Sequence, residues 1–314
     1  MQSNHSSDSM KLIFSILFLV IGSSLFGQID MQDSTATAIA YWQNGEQQNY
    51  KVTEDELIMS GEDTIYFNQD HYEVAIKVVD SNSVNYILEW QVSNLWSVEE
   101  NAIKAQLFDA QSQIPFLILT NEYGADISVL NWEDVKTHMD KSCDSLSQIY
   151  LELPKYVDQI NKYKNKYKSK ESINEMTIKG AQQLFGFHGA KYKLGETIKG
   201  KIKLPNNYGG DPLSADAIML LDEILPTNNT YILKFFQNVD PLQLKAVTYD
   251  YLKSLNIDAS ELPSFADFPT ITKQIWGGTE IHSSTGWVIF SQESEQITTG
   301  SEITTKDRLI ELVK

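Results

Sequence analysis

The sequence predicts an α+β fold in which antiparallel β-sheet predominates. Two stretches of the chain, residues 39–130 and 186–314, read as strand-like segments separated by short turns. Between them, residues 131–185 carry apolar side chains every three or four positions, which is the period of an amphipathic helix. The breaks between the last strand segments carry Gly, Ser or Thr, and Thr285-Gly286 and Thr299-Gly300 suit tight turns between antiparallel strands.

The clearest hairpin of the first block joins residues 72–79 to residues 84–92. The first segment alternates apolar and polar side chains imperfectly, and the turn between the two segments is Asp80-Ser-Asn-Ser83. A short helix is expected next, with Ser97 as its N-cap and Glu100 at the capping-box position. Two further strands follow this helix, from Ile114 to Thr120 and from Ile127 to Leu130.

The middle segment predicts helices. Its apolar stripe consists of Val135, Met139, Cys143, Leu146, Tyr150, Leu153, Val157, Ile160 and Tyr167. Pro154 interrupts this stripe, so the segment predicts either one kinked helix or two consecutive helices. A further helix is expected from about Ile173 to Leu184, before the bend Gly186-Phe-His-Gly189.

The last block predicts strands and one helix. Asp240-Pro241-Leu242-Gln243 combines an acidic cap with a proline in the first turn, so a helix is expected from there to about Leu255. The predicted strands are Lys199 to Leu204, Ala217 to Leu225, Thr230 to Val239, Thr270 to Trp276, Glu280 to Ser283, Trp287 to Ile297 and Glu302 to Val313. The predicted organisation is a signal peptide (1–27), a loose leader (28–38), a strand block (39–130), a helical segment (131–185) and a second strand block (186–314) with one helix near 240–255.

The N-terminal segment has the layout of a secretory signal peptide. Met10-Lys11 precedes an apolar run from Leu12 to Ile21, and small residues follow up to Gly27. The run is too short for a membrane-spanning helix, which needs about 20 apolar residues. Cleavage is expected after Gly27, and cleavage after Ser24 also fits. We therefore expect a periplasmic or secreted protein with no transmembrane segment, and no lipid attachment because no Cys follows the run.

The charge of the chain limits its partners. The formal net charge is −17 and only one basic residue is an arginine, Arg308. Phosphate contacts need concentrated Lys and Arg, so a nucleic-acid partner is not expected.

The single cysteine, Cys143, excludes an internal disulfide and a Cys-based structural zinc site.

No motif assigns a catalytic, metal-binding or cofactor-binding residue, and no cofactor is predicted. Glu280 and His282 lie two positions apart on a predicted strand, so they are either two metal ligands or an ordinary surface pair. His188, between two glycines, is either an accessible general base or a loop residue at a bend. Cys143 on the apolar stripe is typical of a small buried side chain rather than a reactive thiol. Acidic residues are too abundant for any carboxylate pair to stand out.

Two further features leave alternatives open. The run Lys162-Tyr-Lys-Asn-Lys-Tyr-Lys-Ser-Lys170 contains five lysines, which fit either an anionic membrane or glycan surface or a solvated helix face. Exposed tryptophans could stack on sugars or line an apolar groove, whereas buried ones belong to the core. The six tryptophans are Trp42, Trp90, Trp96, Trp132, Trp276 and Trp287.

Five short segments are spread over most of the chain: Gln43-Asn-Gly-Glu46, Tyr86-Ile-Leu-Glu-Trp90, Asn121-Glu-Tyr-Gly124, Asn131-Trp-Glu-Asp134 and Thr285-Gly-Trp287. Together they resemble a group of uncharacterised secreted bacterial proteins built on antiparallel sheet. The resemblance implies an extracytoplasmic location and a sheet-rich fold. It implies no activity and no functional residue.

The sequence therefore favours a non-enzymatic binding protein for an apolar or lipid-like ligand. The alternatives are an envelope structural or assembly factor that binds another protein, and a hydrolase acting on glycan or peptide. The three hypotheses predict different surfaces: an apolar cavity or groove, a flat exposed apolar patch, or a polar cleft with perturbed titratable groups.

Overall fold

The computed structural model describes residues 28–98, 101–125, 127–206, 208–255 and 262–313; for Ile178, it describes the backbone alone. The predicted signal peptide, residues 1–27, lies outside the described residues. The strands are β1 (Ile29–Asp30), β2 (Thr35–Thr37), β3 (Gln47–Ser60), β4 (Asp63–Ser81), β5 (Asn85–Ser97), β6 (Phe116–Asn121), β7 (Ser128–Val129), β8 (Lys191–Lys193), β9 (Thr197–Leu204), β10 (Leu213–Leu225), β11 (Thr230–Val239), β12 (Ile271–His282), β13 (Val288–Thr299) and β14 (Glu302–Leu312). The helices are α1 (Ala102–Gln111), α2 (Trp132–Ile149), α3 (Pro154–Asn165), α4 (Lys170–Phe185) and α5 (Pro241–Ser254).

The fold is α+β, as predicted, and one large sheet dominates it. Eleven strands pair antiparallel in the order β7-β6-β5-β4-β3-β14-β13-β12-β11-β10-β9. Strand β14, at the end of the chain, pairs with β3 along its whole length, from Glu302 opposite Ser60 to Leu312 opposite Tyr50. The two predicted strand blocks are therefore halves of one continuous sheet.

Residues 28–38 form ordered structure where the sequence predicts a loose leader. Strands β1 and β2 join β8 in a small three-stranded sheet, and Ala36 is fully buried. The side chain of Gln28 is also buried, where its Oε1 accepts a hydrogen bond of 2.7 Å from the hydroxyl of Tyr231. The small side chains of its alanines allow this segment to pack closely on the main core. Its otherwise polar composition is the reason that the sequence predicts a loose leader.

The start of helix α1 differs from the sequence prediction. Ser97 is the last residue of β5 and lies opposite Asp70 of β4, so strand pairing continues through the expected cap. Asn101 caps the helix, because its Oδ1 accepts hydrogen bonds from the backbone N–H groups of Ile103 and Lys104. Asn is as good an N-cap as Ser. Glu100 lies outside the described residues.

The helical stripe forms two consecutive helices rather than one kinked helix, because Pro154 is the first residue of α3.

Strand β12 continues through Gly277 and Gly278, although the sequence predicts a break between Trp276 and Glu280. Gly277 keeps the strand intact because a side chain there would meet the carbonyl oxygen of Gln292 at 2.2 Å and the Phe235 ring at 2.8 Å.

The sheet curves around helix α4. Asn174, near the start of α4, accepts a hydrogen bond from Val129 of β7, and Gln183 near its end donates one to Ser291 of β13. Six strand spacings separate β7 from β13, or about 29 Å along a flat sheet. Nine helical residues rise only about 14 Å. The face that carries α4 is therefore concave.

None of the helices in the described part of the chain is long and apolar enough to cross a membrane.

Candidate ligand-binding trough

A strip of the concave face lies between helix α4 on one side and helix α5 on the other. On one side, Gln183 of α4 contacts the sheet at Ser291 and at the carbonyl oxygen of Arg308. On the other side, Leu244 of α5 packs into an apolar cluster with Ala215, Val239 and Ile271. We call the strip between these two contacts the trough.

Strand register defines the trough as two rows of side chains that share one face. The first row crosses eight strands through Ile198, Met219, Phe235, Gly277, Glu293, Arg308, Glu54 and Asp70. The second row, nearer α5, contains Ala217, Gln237, Ile275, Glu295, Lys306 and Glu56.

One half of the trough is apolar. Ile198 of the edge strand β9 is 48% exposed, whereas Met219 and Phe235 are partly buried against the main core. The Phe235 ring lies 5.9 Å from the ring of Phe187, centroid to centroid. Because Gly277 has no side chain, the Phe235 ring can lie across strand β12. This half offers an aliphatic and aromatic surface.

The other half of the trough is charged. Arg308 donates a hydrogen bond from Nε to Oε1 of Glu54 at 2.7 Å, and the hydroxyl of Tyr72 donates to the same oxygen at 3.1 Å. The side chains of Arg308 and Glu54 are 26% and 35% exposed, so this ion pair is half-buried. Asp70 closes the row, with its carboxylate 2.6 Å from the ammonium of Lys104. Burial raises the pKa of Asp70, but hydrogen bonds from Lys104, Ser97 and Asn68 bring it below its usual range.

Glu293 stands directly opposite Arg308, on the strand between the charged and apolar halves. Burial raises the pKa of its carboxyl group. The positive charge of Arg308 opposes this rise, the negative charge of Glu295 adds to it, and Lys179 and Lys273 oppose it more weakly. The trough therefore contains a carboxyl group that accepts a proton more readily than an exposed glutamate.

Two lysines of the helical layer, Lys166 and Lys179, act electrostatically on this charged half: Lys179 lowers the pKa of Glu293, and Glu54 raises the pKa of Lys166. Lys166, just after α3, places its ammonium 5.2 Å from the centroid of Tyr163. Partial burial lowers the pKa of Lys166; Glu54 raises it, and Lys179, Lys104 and Lys306 lower it further. The charged half of the trough thus receives side chains from both the sheet and the helices.

The residues that the sequence singles out lie elsewhere. His188 is buried and not accessible, with Nε2 donating to the carbonyl oxygen of Gly286 at 2.9 Å, and burial lowers its pKa to about 4. Cys143 is buried in the helical layer, where burial raises the pKa of its thiol to about 11. A thiol with these properties is a core side chain and not a nucleophile.

Glu280 and His282 are engaged in separate hydrogen bonds. Glu280 accepts one from the hydroxyl of Thr230 at 2.6 Å, and Nδ1 of His282 lies 3.0 Å from the hydroxyl of Thr285. Among the residues that the structure describes, no three His, Cys, Asp or Glu side chains come together as a metal site.

The tryptophans divide between core and surface. Trp42 and Trp287 are buried and stacked, with centroids 4.4 Å apart, and Trp90 is buried against α4. Trp96 is exposed on the opposite sheet face, beside His71.

The lysine run 162–170 lies on a solvent-facing helix surface. Lys162 forms an ion pair with Asp158, and Lys164 forms one with Asp144.

An open cleft between the starts of α2 and α4 has a volume of about 630 Å³. It is lined by Trp132, Glu133, Lys136, Thr137, Lys168, Ser169, Lys170 and Glu171. Trp132 is the one apolar residue among these eight, so no aliphatic side chain contributes to the cleft. The trough, in contrast, has aliphatic and aromatic side chains along one of its halves.

No family model and no curated protein matches this chain. Among solved structures, it is similar to a chain from a structure of lipid–protein interactions in lipovitellin, with 9% sequence identity and a TM-score of 0.40. The match covers 87% of this chain, which spans a quarter of the length of that lipovitellin chain. At this level of similarity nothing is transferred from lipovitellin.

Proposed function

We propose that this protein is a non-enzymatic binding protein for an amphipathic, lipid-like ligand that lies in the trough. The observation that carries the proposal is the division of the first row into an apolar half at Met219 and Phe235 and a charged half at Glu293 and Arg308. A ligand with one apolar and one polar end matches this order along the strip. The predicted signal peptide supports a role in the periplasm or outside the cell.

Burial of apolar surface supplies the driving force. Each Å² of apolar surface removed from water contributes about 25 cal/mol, so a ligand covering Ile198, Met219 and Ile275 gains affinity from their exposed area. The half-buried charges orient the ligand, because an apolar group placed over Arg308 and Glu54 would strip their solvent without replacing its hydrogen bonds.

The proposal is tested by native mass spectrometry of protein purified from its own host. Organic extraction and identification of the bound material follow. We expect a stoichiometric adduct of amphipathic chemistry. A protein that carries no adduct and takes up none from added lipid extract would contradict the proposal.

Two neighbouring residues on β10 provide matched variants. Met219 faces the trough, and Ile218 faces the opposite side of the sheet. With the neutral fluorescent probe N-phenyl-1-naphthylamine, Met219→Gln is expected to weaken binding about tenfold, a loss of about 1.4 kcal/mol. Ile218→Gln is expected to bind like the unmodified protein. Equal losses in both variants would place the probe outside the trough.

A second candidate function is binding to an envelope protein through the turn between α2 and α3. Three aliphatic side chains there are strongly exposed: Ile149 by 71%, Leu151 by 65% and Leu153 by 50%. Exposed apolar residues grouped in this way mark interaction surfaces. A photo-crosslinker at Leu151 is expected to capture one discrete protein in the host, whereas a crosslinker at Lys199 of β9 captures none. An identical pattern at both positions would dismiss this candidate.

A further inference from the structure

We propose that the trough selects amphiphiles whose polar end is an anion, a carboxylate or a phosphate bound at Arg308 with the help of Lys179 and Lys166. This inference rests on the proposed function and names the ligand class that the same strip accepts. The anion could belong to a lipid headgroup or to a free small molecule, and the experiment below separates the two.

Arg308 has unused hydrogen-bond donors. Its Nε donates to Glu54, while its two terminal nitrogens donate to no residue in the described part of the chain. A guanidinium presents its donors in a rigid planar fork that fits the two oxygens of a carboxylate or phosphate. The ion pair with Glu54 fixes this fork in the trough and leaves its outer side for a ligand.

Basic side chains outnumber acidic ones around Arg308. Three acids of the strip have lysine partners within ion-pair distance: Asp70 with Lys104, Glu56 with Lys306, and Glu295 with Lys273. Lys166 and Lys179 form no such pair among the described residues. The cluster therefore holds six basic and five acidic side chains, within a chain whose formal net charge is −17.

Glu293 is the remaining acid of this cluster. Its carboxyl group faces Arg308, Glu295, Lys179 and Lys273, and its burial favours the protonated form. A protonated carboxyl donates a hydrogen bond to an anionic head instead of repelling it. Glu293 also stands between Arg308 and the apolar half, where the head of an amphiphile meets its tail.

The geometry sets the direction of the ligand. Four strand spacings separate Arg308 on β14 from Met219 on β10, or about 19 Å along the sheet. An apolar tail anchored by its head at Arg308 runs over Gly277 and Phe235 toward Met219. Gly277 and Ile275, between the two halves, are only partly covered.

The experiment compares four ligands with the same twelve-carbon tail in displacing N-phenyl-1-naphthylamine. Dodecanoate and dodecyl phosphate are expected to bind at least about tenfold more tightly than dodecanol. Dodecyltrimethylammonium is expected to bind more weakly than dodecanol. Acetate and inorganic phosphate, measured by calorimetry, are expected not to bind in the same concentration range, which identifies the anion as the head of an amphiphile.

Variants test the assignment of the head site. Lys179→Gln and Arg308→Gln are expected to reduce the preference for dodecanoate over dodecanol by about three- to tenfold. Lys199→Gln, on the opposite sheet face, is the matched control and keeps the full preference. Because Lys179 is exposed and Arg308 is half-buried, the lysine variant tests the site even where the arginine variant loses stability.

The possible failures are distinguishable. Equal affinity for dodecanoate and dodecanol would overturn the anionic-head inference and leave the proposed function standing. Tighter binding of dodecyltrimethylammonium would overturn it in favour of a cationic head. Calorimetric binding of free phosphate with the affinity of dodecyl phosphate would overturn the amphiphile assignment. No binding of any tail-bearing compound would overturn both proposals.

Discussion

Arg308 and Glu54 form an ion pair that joins the last strand of the sheet to its first long strand. Their Nε–Oε1 distance is 2.7 Å, although 254 positions separate the two residues in the chain. The pair lies at the seam between β14 and β3, where the two strand blocks meet. The same pair fixes the guanidinium in the centre of the trough, so one contact serves both the fold and the site.

Removal of the acidic partner tests this seam. Glu54→Gln leaves Arg308 half-buried without its counter-charge and weakens the acceptor of the Tyr72 hydroxyl. We expect the free energy of unfolding to fall by about 1–3 kcal/mol, measured by urea denaturation. Glu56→Gln is the control on the same face of β3. Its partner Lys306 is 54% exposed, so a loss below about 1 kcal/mol is expected. A larger loss for Glu56→Gln would contradict this ranking.

Adjacent glycines of β12 give a second prediction. A methyl group at Gly277 would meet the carbonyl oxygen of Gln292 at 2.2 Å, whereas one at Gly278 meets its neighbours at an ordinary 3.4 Å. Gly277→Ala is expected to destabilise the protein by about 1–3 kcal/mol, and Gly278→Ala by less than about 1 kcal/mol. Thermal unfolding of both variants checks the difference. Similar melting temperatures would show that the close approach at Gly277 is not retained in solution.

His188 predicts a pH-dependent loss of stability. Burial lowers its pKa to about 4 in the folded state, whereas the unfolded chain has the ordinary value near 6.5. The unfolded state therefore binds more protons between these values, and stability falls as the pH drops below about 6.5. The expected contribution is about 2 kcal/mol between pH 7.5 and pH 5.

The measurement compares urea denaturation at the two pH values for the unmodified protein and for His188→Gln. Glutamine keeps an N–H donor for the carbonyl oxygen of Gly286 and does not titrate. The variant is expected to lose less stability on acidification, by about 2 kcal/mol. Identical losses would show that His188 is not the group responsible.

The mature N-terminus provides a prediction about location. Expression of the full chain in a host with a secretory pathway is expected to give a product that begins at Gln28, identified by N-terminal sequencing of the extracytoplasmic fraction. A product beginning at Leu25 would correspond to cleavage after Ser24 instead. An intact N-terminus at Met1 or Met10 in the cytoplasmic fraction would contradict the signal-peptide prediction.

Local signals in the sequence were sufficient for many elements of the fold. Asp240 caps α5 through hydrogen bonds from the backbone N–H groups of Leu242 and Gln243, as its position before a proline predicted. The hairpin of β4 and β5 turns where Asn82 accepts hydrogen bonds from the N–H groups of Val84 and Asn85. Such features depend on residues close together in the chain, and their spacing is therefore visible in the sequence.

The trough could not be predicted in the same way. Glu54, Glu293 and Arg308 each lie on a strand with mixed composition, and nothing in their neighbourhood distinguishes them from the other charged residues. Only the pairing of β3 with β14 and of β14 with β13 places them side by side. Arg308 is the single arginine of the chain, which was the one available signal, but no local pattern indicated a partner for it.

The sequence by itself determined the α+β class, the antiparallel hairpins, the helical middle and the start of α5. These follow from side-chain period, turn residues and caps, which act over a few residues. Tertiary structure alone decided that both strand blocks form one sheet, that α4 lies in its concave face and that an amphipathic strip remains between α4 and α5. The physical reason is that strand register and helix placement depend on pairings between distant residues, such as Glu54 and Arg308, which no local pattern encodes.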